Sequence, residues 1–244
     1  MRIIKSVNNP YIKNLSKLHL KKYRELEGKF LIEGYNLVNE AKAANLLLEV
    51  LITSEDERIE ETVNTLVNED IIKKLSKTKN PQNIVGVCKM KKAEELAGNK
   101  FLLLDNINDP GNLGTLIRTA LGLGIDQIIV SSDTADLYND KVIRAAQGAL
   151  FKIDVIIGNL ITYIEKLKAK KIPVIGTALV NSKSLKDIKT PNKYAIVLGN
   201  EANGIKDEIL SLTDVNVKIE IDEKLESLNV AIAGAILMYH FNKE

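Results

Sequence analysis

Three polar, glycine-bearing stretches hold the residues best suited to chemistry. The first is DNINDPGNLGTLIRTA, residues 105–120. Asp109-Pro110-Gly111 reads as a turn, and Asn112 is expected to cap the helix that follows. Gly111 and Gly114 leave backbone amides open to an anion. Arg118 lies off the apolar stripe Leu113, Leu116, Ile117, Ala120 and Leu121. A cation in the first turns of a helix opposes the macrodipole, so an anionic partner suits it. The plainer reading pairs it with Asp105 or Asp109. In the second stretch, GNEANGI, Gly199 and Gly204 flank Glu201 and would let a flat ring approach the backbone. The alternative is a tight turn with an exposed Glu. The third, DEKLESLNVA, offers Ser227 as a helix cap with Asn229 beside it; capping alone would also explain it.

These stretches need strands to hold them. From about Lys100 the apolar runs FLLLD, QIIVS, KIDVII, IPVIGTAL, YAIVLG and VNVKIEI alternate with helical segments. Continuous apolar strands between helices imply a parallel sheet covered on both faces. Ligands bind beyond the C-terminal ends of such strands, where all three stretches fall. The last helix, roughly Leu228 to Phe241, is apolar nearly all round. It is expected to be buried, against a second subunit through Ala231, Ala233, Gly234 and Ala235. Before about Gly98 the chain reads as a smaller α/β unit. KFLIEGY, LLLEVLIT and IVGVCKM read as strands, and Asn36–Ala44 and DERIEETVNTLVNE as helices. SKTKNPQN is a polar turn and KMKKAEELAGNK a connector. The division expected is 1–97 and 98–244.

The 244 residues carry a formal charge of +2, which looks neutral toward nucleic acid. The charge is segregated. Met1–Lys29 holds eight basic residues against Glu25 and Glu27, a net +6, so the remainder is mildly acidic. If Tyr11–Leu26 is one helix, Lys13, Lys17, Lys21 and Arg24 share a face opposite Tyr11, Leu15 and Leu18. Such a stripe can follow an RNA phosphate backbone; an ordinary solvated face is the alternative. Other chemistries are missing. A nucleotide-binding oxidoreductase is excluded by the lack of GxGxxG after a strand, and no Walker loop occurs. His19 and His240 are far apart in sequence, which speaks against a metal site or a Ser-His-Asp triad. The lone Cys88 excludes an internal disulfide. With no apolar stretch near 18 residues, the expectation is a cytoplasmic protein without a membrane span.

Taken in order, DNINDPGNLGTLIRTA, IVLGNEANGI and ESLNVAIAGAI resemble the three motifs of the SpoU (TrmH) family of RNA ribose 2′-O-methyltransferases. The segment NPYIKNLSKLHLKKYRELEGKFLIEGYNLVNEA is similar to the ribosomal-protein-like substrate-binding domain of many members. The resemblance implies an α/β fold with a deep trefoil knot, S-adenosylmethionine as cofactor and a homodimer. It implies that Asn112, Arg118, Glu201, Ser227 and Asn229 form the catalytic set. Thr177, Leu179, Gly199, Ile219 and Leu228 would line the cofactor pocket, with no metal. Lys13, Lys17, Lys21 and Arg24 would then meet RNA, with ribosomal RNA as the expected substrate. A transfer RNA, or an inactive RNA-binding protein acting in ribosome assembly, is the alternative. One departure stands out: Ile219-Glu220-Ile221 occupies the place where members usually carry Ile-Pro-Met.

Overall fold

The computed structural model describes residues 1–200 and 202–242. Residues divide into two compact units: Met1–Lys91 with Tyr138–Lys152, and Lys92–Leu137 with Ile153 onward. The segment Tyr138–Lys152, assigned by sequence to the C-terminal part, thus packs with the N-terminal one.

The first unit opens with strand β1 (Arg2–Ile4), which the sequence reading missed, and helices α1 (Pro10–Lys17) and α2 (Lys21–Glu27). The single helix expected over Tyr11–Leu26 is therefore broken. Leu18 ends α1 and buries beside Ile12 and Leu15, and Leu20 is extended at φ −103° and ψ 129°. Then come β2 (Lys29–Glu33), α3 (Tyr35–Ala43), β3 (Leu47–Ile52), β4 (Val63–Val67), α4 (Glu69–Leu75) and β5 (Ile84–Lys89). They build a five-stranded sheet in the order β1-β4-β3-β5-β2. The helix expected in DERIEETVNTLVNE is a correction: Glu55–Glu57 is one 3-10 turn and Val63–Val67 is a strand between β1 and β3. Its β-branched Val63, Thr65 and Val67 fit a pleated surface, and burial of Thr65 and Val67 in the sheet overrides the helical spacing. Glu49 ties the edge: it accepts from Arg2 at 2.6 Å and Thr65 at 2.6 Å, and also from the Tyr11 hydroxyl.

The second unit contains β6 (Lys100–Leu104), α5 (Pro110–Gly122) and β7 (Gln127–Val130). Helices α6 (Asp140–Ala146) and α7 (Ala149–Lys152) belong to the first unit, where Tyr138 and Phe151 stack against Phe30. The chain continues through β8 (Asp154–Ile157), α8 (Leu160–Ala169), β9 (Val174–Thr177), β10 (Lys183–Ser184), β11 (Tyr194–Leu198), α9 (Asp207–Leu210), β12 (Val215–Lys218) and α10 (Val230–Phe241). The sheet has seven strands, all parallel, ordered β10-β12-β9-β11-β6-β7-β8. Phe101, Leu103, Ile129, Val197, Ile164 and Leu167 form the core under α8. Across the sheet α10 lies on α5 and β11. Gly234 permits that approach, since a Cβ there would fall 2.5 Å from Leu116 Cδ2 and 2.8 Å from Leu198 Cδ1.

Candidate active site

The three stretches follow β6, β11 and β12, and all leave the C-terminal edge of the parallel sheet. Strands β11 and β6 are neighbours, in register from Tyr194↔Lys100 to Leu198↔Leu104. The first two stretches therefore start side by side, and Asp105 N donates to Leu198 O at 2.8 Å.

The first turn of α5 differs from expectation. Asp109 caps the helix, accepting from Asn112 N at 2.7 Å, with Pro110 at the first helical position. Proline lacks the N–H that this position would leave unpaired, and its φ is already helical. Asn112 is thereby the third residue of the helix rather than its cap. Its Oδ1 accepts from Asn229 Nδ2 at 3.0 Å, which joins the first and third stretches across 117 residues. Asn229, not Ser227, caps α10, accepting from Ala231 N at 2.9 Å. Ser227, two residues before it, is exposed.

Arg118 is exposed and pairs with neither Asp105 nor Asp109; among the described residues it has no ion pair or hydrogen bond. Its cation is available to a ligand. Glu201 lies outside the described residues, but its flanks are pinned. Asn200 and Gly204 exchange backbone hydrogen bonds of 3.0 and 2.8 Å, and Asn200 Nδ2 donates to Asn106 O at 2.8 Å. Gly199 is obligatory here, because a Cβ would fall 2.1 Å from Gly204 C.

The expected pocket residues gather on adjacent strand ends. Thr177 closes β9, half-buried, with Oγ1 donating to Val197 O at 3.2 Å. Leu179 and Val180 follow it with 70% and 73% of their surface exposed. Ile219 and Leu228 are half-buried in the stretch after β12. Glu220, at the departure from the usual pattern, accepts from Lys186, which holds its carboxyl below the ordinary range. Among the described residues no group of three or more His, Cys, Asp or Glu is placed to hold a metal.

In the first unit, Lys13, Lys17 and Lys21 are exposed. Arg24 is a correction. It is 5% exposed and donates Nη1 to Leu18 O at 2.7 Å, so it clamps the α1–α2 corner from below. The helix break at Leu18–Leu20 turns it inward. Sequence reasoning also missed Lys206, whose backbone N donates to Asp105 Oδ2 at 2.9 Å and whose ammonium lies 2.7 Å from Asp133. No motif spacing signals it, since its partners come from two other strand ends.

Residues 99–239 match the model of the SpoU rRNA Methylase family. The chain belongs to that family. Within this SpoU protein, residues 9–86 match the MRM3-like substrate binding domain. The chain is 40% identical to the 23S rRNA (guanosine(2553)-2'-O)-methyltransferase RlmP of Bacillus subtilis, over 98% of this chain and 99% of that one. The structure is similar to an AdoMet-bound rRNA methyltransferase from Sinorhizobium meliloti, with TM-score 0.89, 27% identity and coverage of 98% and 96%. A putative RNA methyltransferase of the TrmH family from Porphyromonas gingivalis superposes with TM-score 0.88 at 30% identity, covering 97% and 98%.

Proposed function

We propose that this protein transfers a methyl group from S-adenosylmethionine to a ribose 2′-hydroxyl of ribosomal RNA, working as a homodimer in the cytoplasm. The observation that carries the reading is the Asn229–Asn112 hydrogen bond, which brings together the third motif and the start of α5, the helix that also carries Arg118. End-to-end similarity to RlmP supports ribosomal RNA and active chemistry over a transfer RNA substrate or an inactive binding role. Among the described residues no helix is long and apolar enough to cross a membrane.

The residues present fit the cofactor. Leu179 and Val180 are large apolar side chains left uncovered beside Thr177, as an adenine ring requires. The backbone at Gly199, Ile219 and Leu228 would hold the adenosine part. When bound, S-adenosylmethionine supplies an electrophilic methyl on a sulfonium. Arg118 would grip the RNA phosphate and keep the 2′-oxygen in line. Its guanidinium stays protonated, so the hydroxyl proton would leave to phosphate or water rather than to Arg118. Asn112 and Asn229 would orient these groups, and Glu201 and Ser227 would shape the site. We assign the family's trefoil knot to the C-terminal stretches.

Helix α10 leaves Ile232 (53%), Ile236 and Tyr239 (62%) exposed at helical spacing, an apolar stripe suited to the second subunit. The N-terminal unit would grip RNA through Lys13, Lys17 and Lys21. Burial and then the charge of Lys77, on the turn after α4, lower the pKa of the His19 imidazole at the α1–α2 corner. The test is Arg118→Ala. Methylation of ribosomal RNA should fall at least 100-fold with S-adenosylmethionine binding kept. Near-normal methylation would overturn the assignment.

A further inference from the structure

Beside the proposed site sits an ion cluster whose residues carry none of the proposed catalytic or cofactor-binding roles. Asp105, at the end of β6, is 0% exposed. Its Oδ2 accepts from Lys206 N at 2.9 Å. Its Oδ1 is buried without a hydrogen bond among the described residues, and the nearby cation is Lys206 Nζ at 3.4 Å. The same ammonium donates to Asp133 Oδ2 at 2.7 Å, in the loop after β7. One lysine, on the segment that follows β11, thus ties together the ends of β6 and β7. On the other side of the Gly199–Ile205 loop the tie is Asn200 Nδ2 to Asn106 O. Asn106 adopts φ +56° and donates its N–H to Ser131 Oγ at 2.8 Å, so this anchor too reaches β7.

A buried carboxylate needs a counter-charge, because low dielectric penalises it severely when alone. An exposed loop has no comparable reason to hold one conformation. The cluster joins the two facts: Lys206, directly after the Gly199–Ile205 loop, must dock for Asp105 to gain its counter-charge.

We propose that Lys206 is a positioning residue for methyl transfer: held between Asp105 and Asp133, it sets the register of the Gly199–Ile205 loop against the end of β6 and thereby shapes the methyl-donor pocket. The proposal rests on the reading that this loop contacts S-adenosylmethionine. Lys206 would act through this loop rather than by contact with cofactor or RNA.

Three full-length variants test it: Lys206→Met, Lys206→Arg, and Lys206→Met combined with Asp105→Asn. The readouts are thermal midpoint, S-adenosylmethionine Kd by calorimetry, and separate KM values for cofactor and RNA. Lys206→Met should raise the cofactor Kd and KM at least tenfold with the RNA KM within twofold. Lys206→Arg should recover most of the affinity. The double variant removes the uncompensated buried charge, so its midpoint should return toward wild type while the Kd stays at least fivefold high. A Lys206→Met Kd within twofold of wild type overturns the proposal. So does a double variant whose Kd recovers together with its midpoint, since the ion pair would then serve stability alone. Absence of S-adenosylmethionine binding by the wild-type protein would instead refute the functional reading beneath it.

Discussion

Replacing Gly199 by alanine tests how tightly the second motif is closed. An added Cβ would lie 2.1 Å from Gly204 C, 2.2 Å from Ile205 N and 2.3 Å from Gly204 O. All three are backbone atoms, so no side chain can swing aside. Restoring ordinary contact needs a shift of roughly 1 Å, which must open the paired 3.0 and 2.8 Å bonds between Asn200 and Gly204. Two hydrogen bonds at about 1 kcal/mol each, with strain of about 1 kcal/mol for overpacking, give a cost of about 3 kcal/mol. In a protein of this size that lowers the thermal midpoint by about 6–12 °C. The same shift moves the backbone proposed to hold adenosine, so S-adenosylmethionine should bind at least tenfold more weakly. Gly122→Ala is the matched control. It lies at the end of α5 with nothing within 4 Å of the added atom, and should stabilise by up to about 1 kcal/mol. Scanning calorimetry and titration calorimetry read both quantities. A Gly199→Ala protein with wild-type midpoint and affinity would show that the loop has room for a Cβ and is not closed this tightly.

Other consequences follow from the same structure. Asn229→Ala removes the cap of α10 and the link to Asn112; chemical denaturation should show a loss of about 1–2 kcal/mol, and methylation should fall more than cofactor affinity does. Reversing Lys13, Lys17 and Lys21 to Glu should weaken RNA binding and flatten its salt dependence by about 0.7–0.9 log units per lost phosphate contact, whereas Arg24→Ala should lower the thermal midpoint instead. Ile236→Asp with Tyr239→Asp should shift sedimentation from dimer to monomer. Burial and then the Glu49 hydrogen bond push Tyr11 up to about 12, and burial and then Glu57 do the same for Tyr35. The folded state therefore keeps protons that the unfolded chain loses from about pH 10. Stability is full below pH 10 and declines as pH rises toward 12; denaturant midpoints across that range should fall, and fall less in Tyr11→Phe.

Much of the parallel sheet was readable because its strands are buried on both faces and so form unbroken apolar runs such as FLLLD and YAIVL. The motif loops were readable because glycines and short polar residues cluster after those runs. Local patterns failed where a tertiary contact decided the outcome. Val63–Val67 follows helical spacing in sequence, yet pairing with β1 and β3 makes it a strand. The α1–α2 break follows from burial of Leu18, which no helical period reveals. Asp109 and Asn229 took the capping roles expected of Asn112 and Ser227. At Asp109 the following Pro110 settles the start of the helix; Asn229 stands directly before Val230. Lys206 was invisible because its partners, Asp105 and Asp133, lie 101 and 73 residues away.

The reaction proposed for this protein is methylation of a ribose in ribosomal RNA. Mapping 2′-O-methyl groups across total RNA, from cells with and without this gene, tests it most directly. Loss of one ribosomal 2′-O-methyl, restored by the wild-type gene and not by Arg118→Ala, is the expected result. Unchanged ribosomal 2′-O-methylation would contradict it.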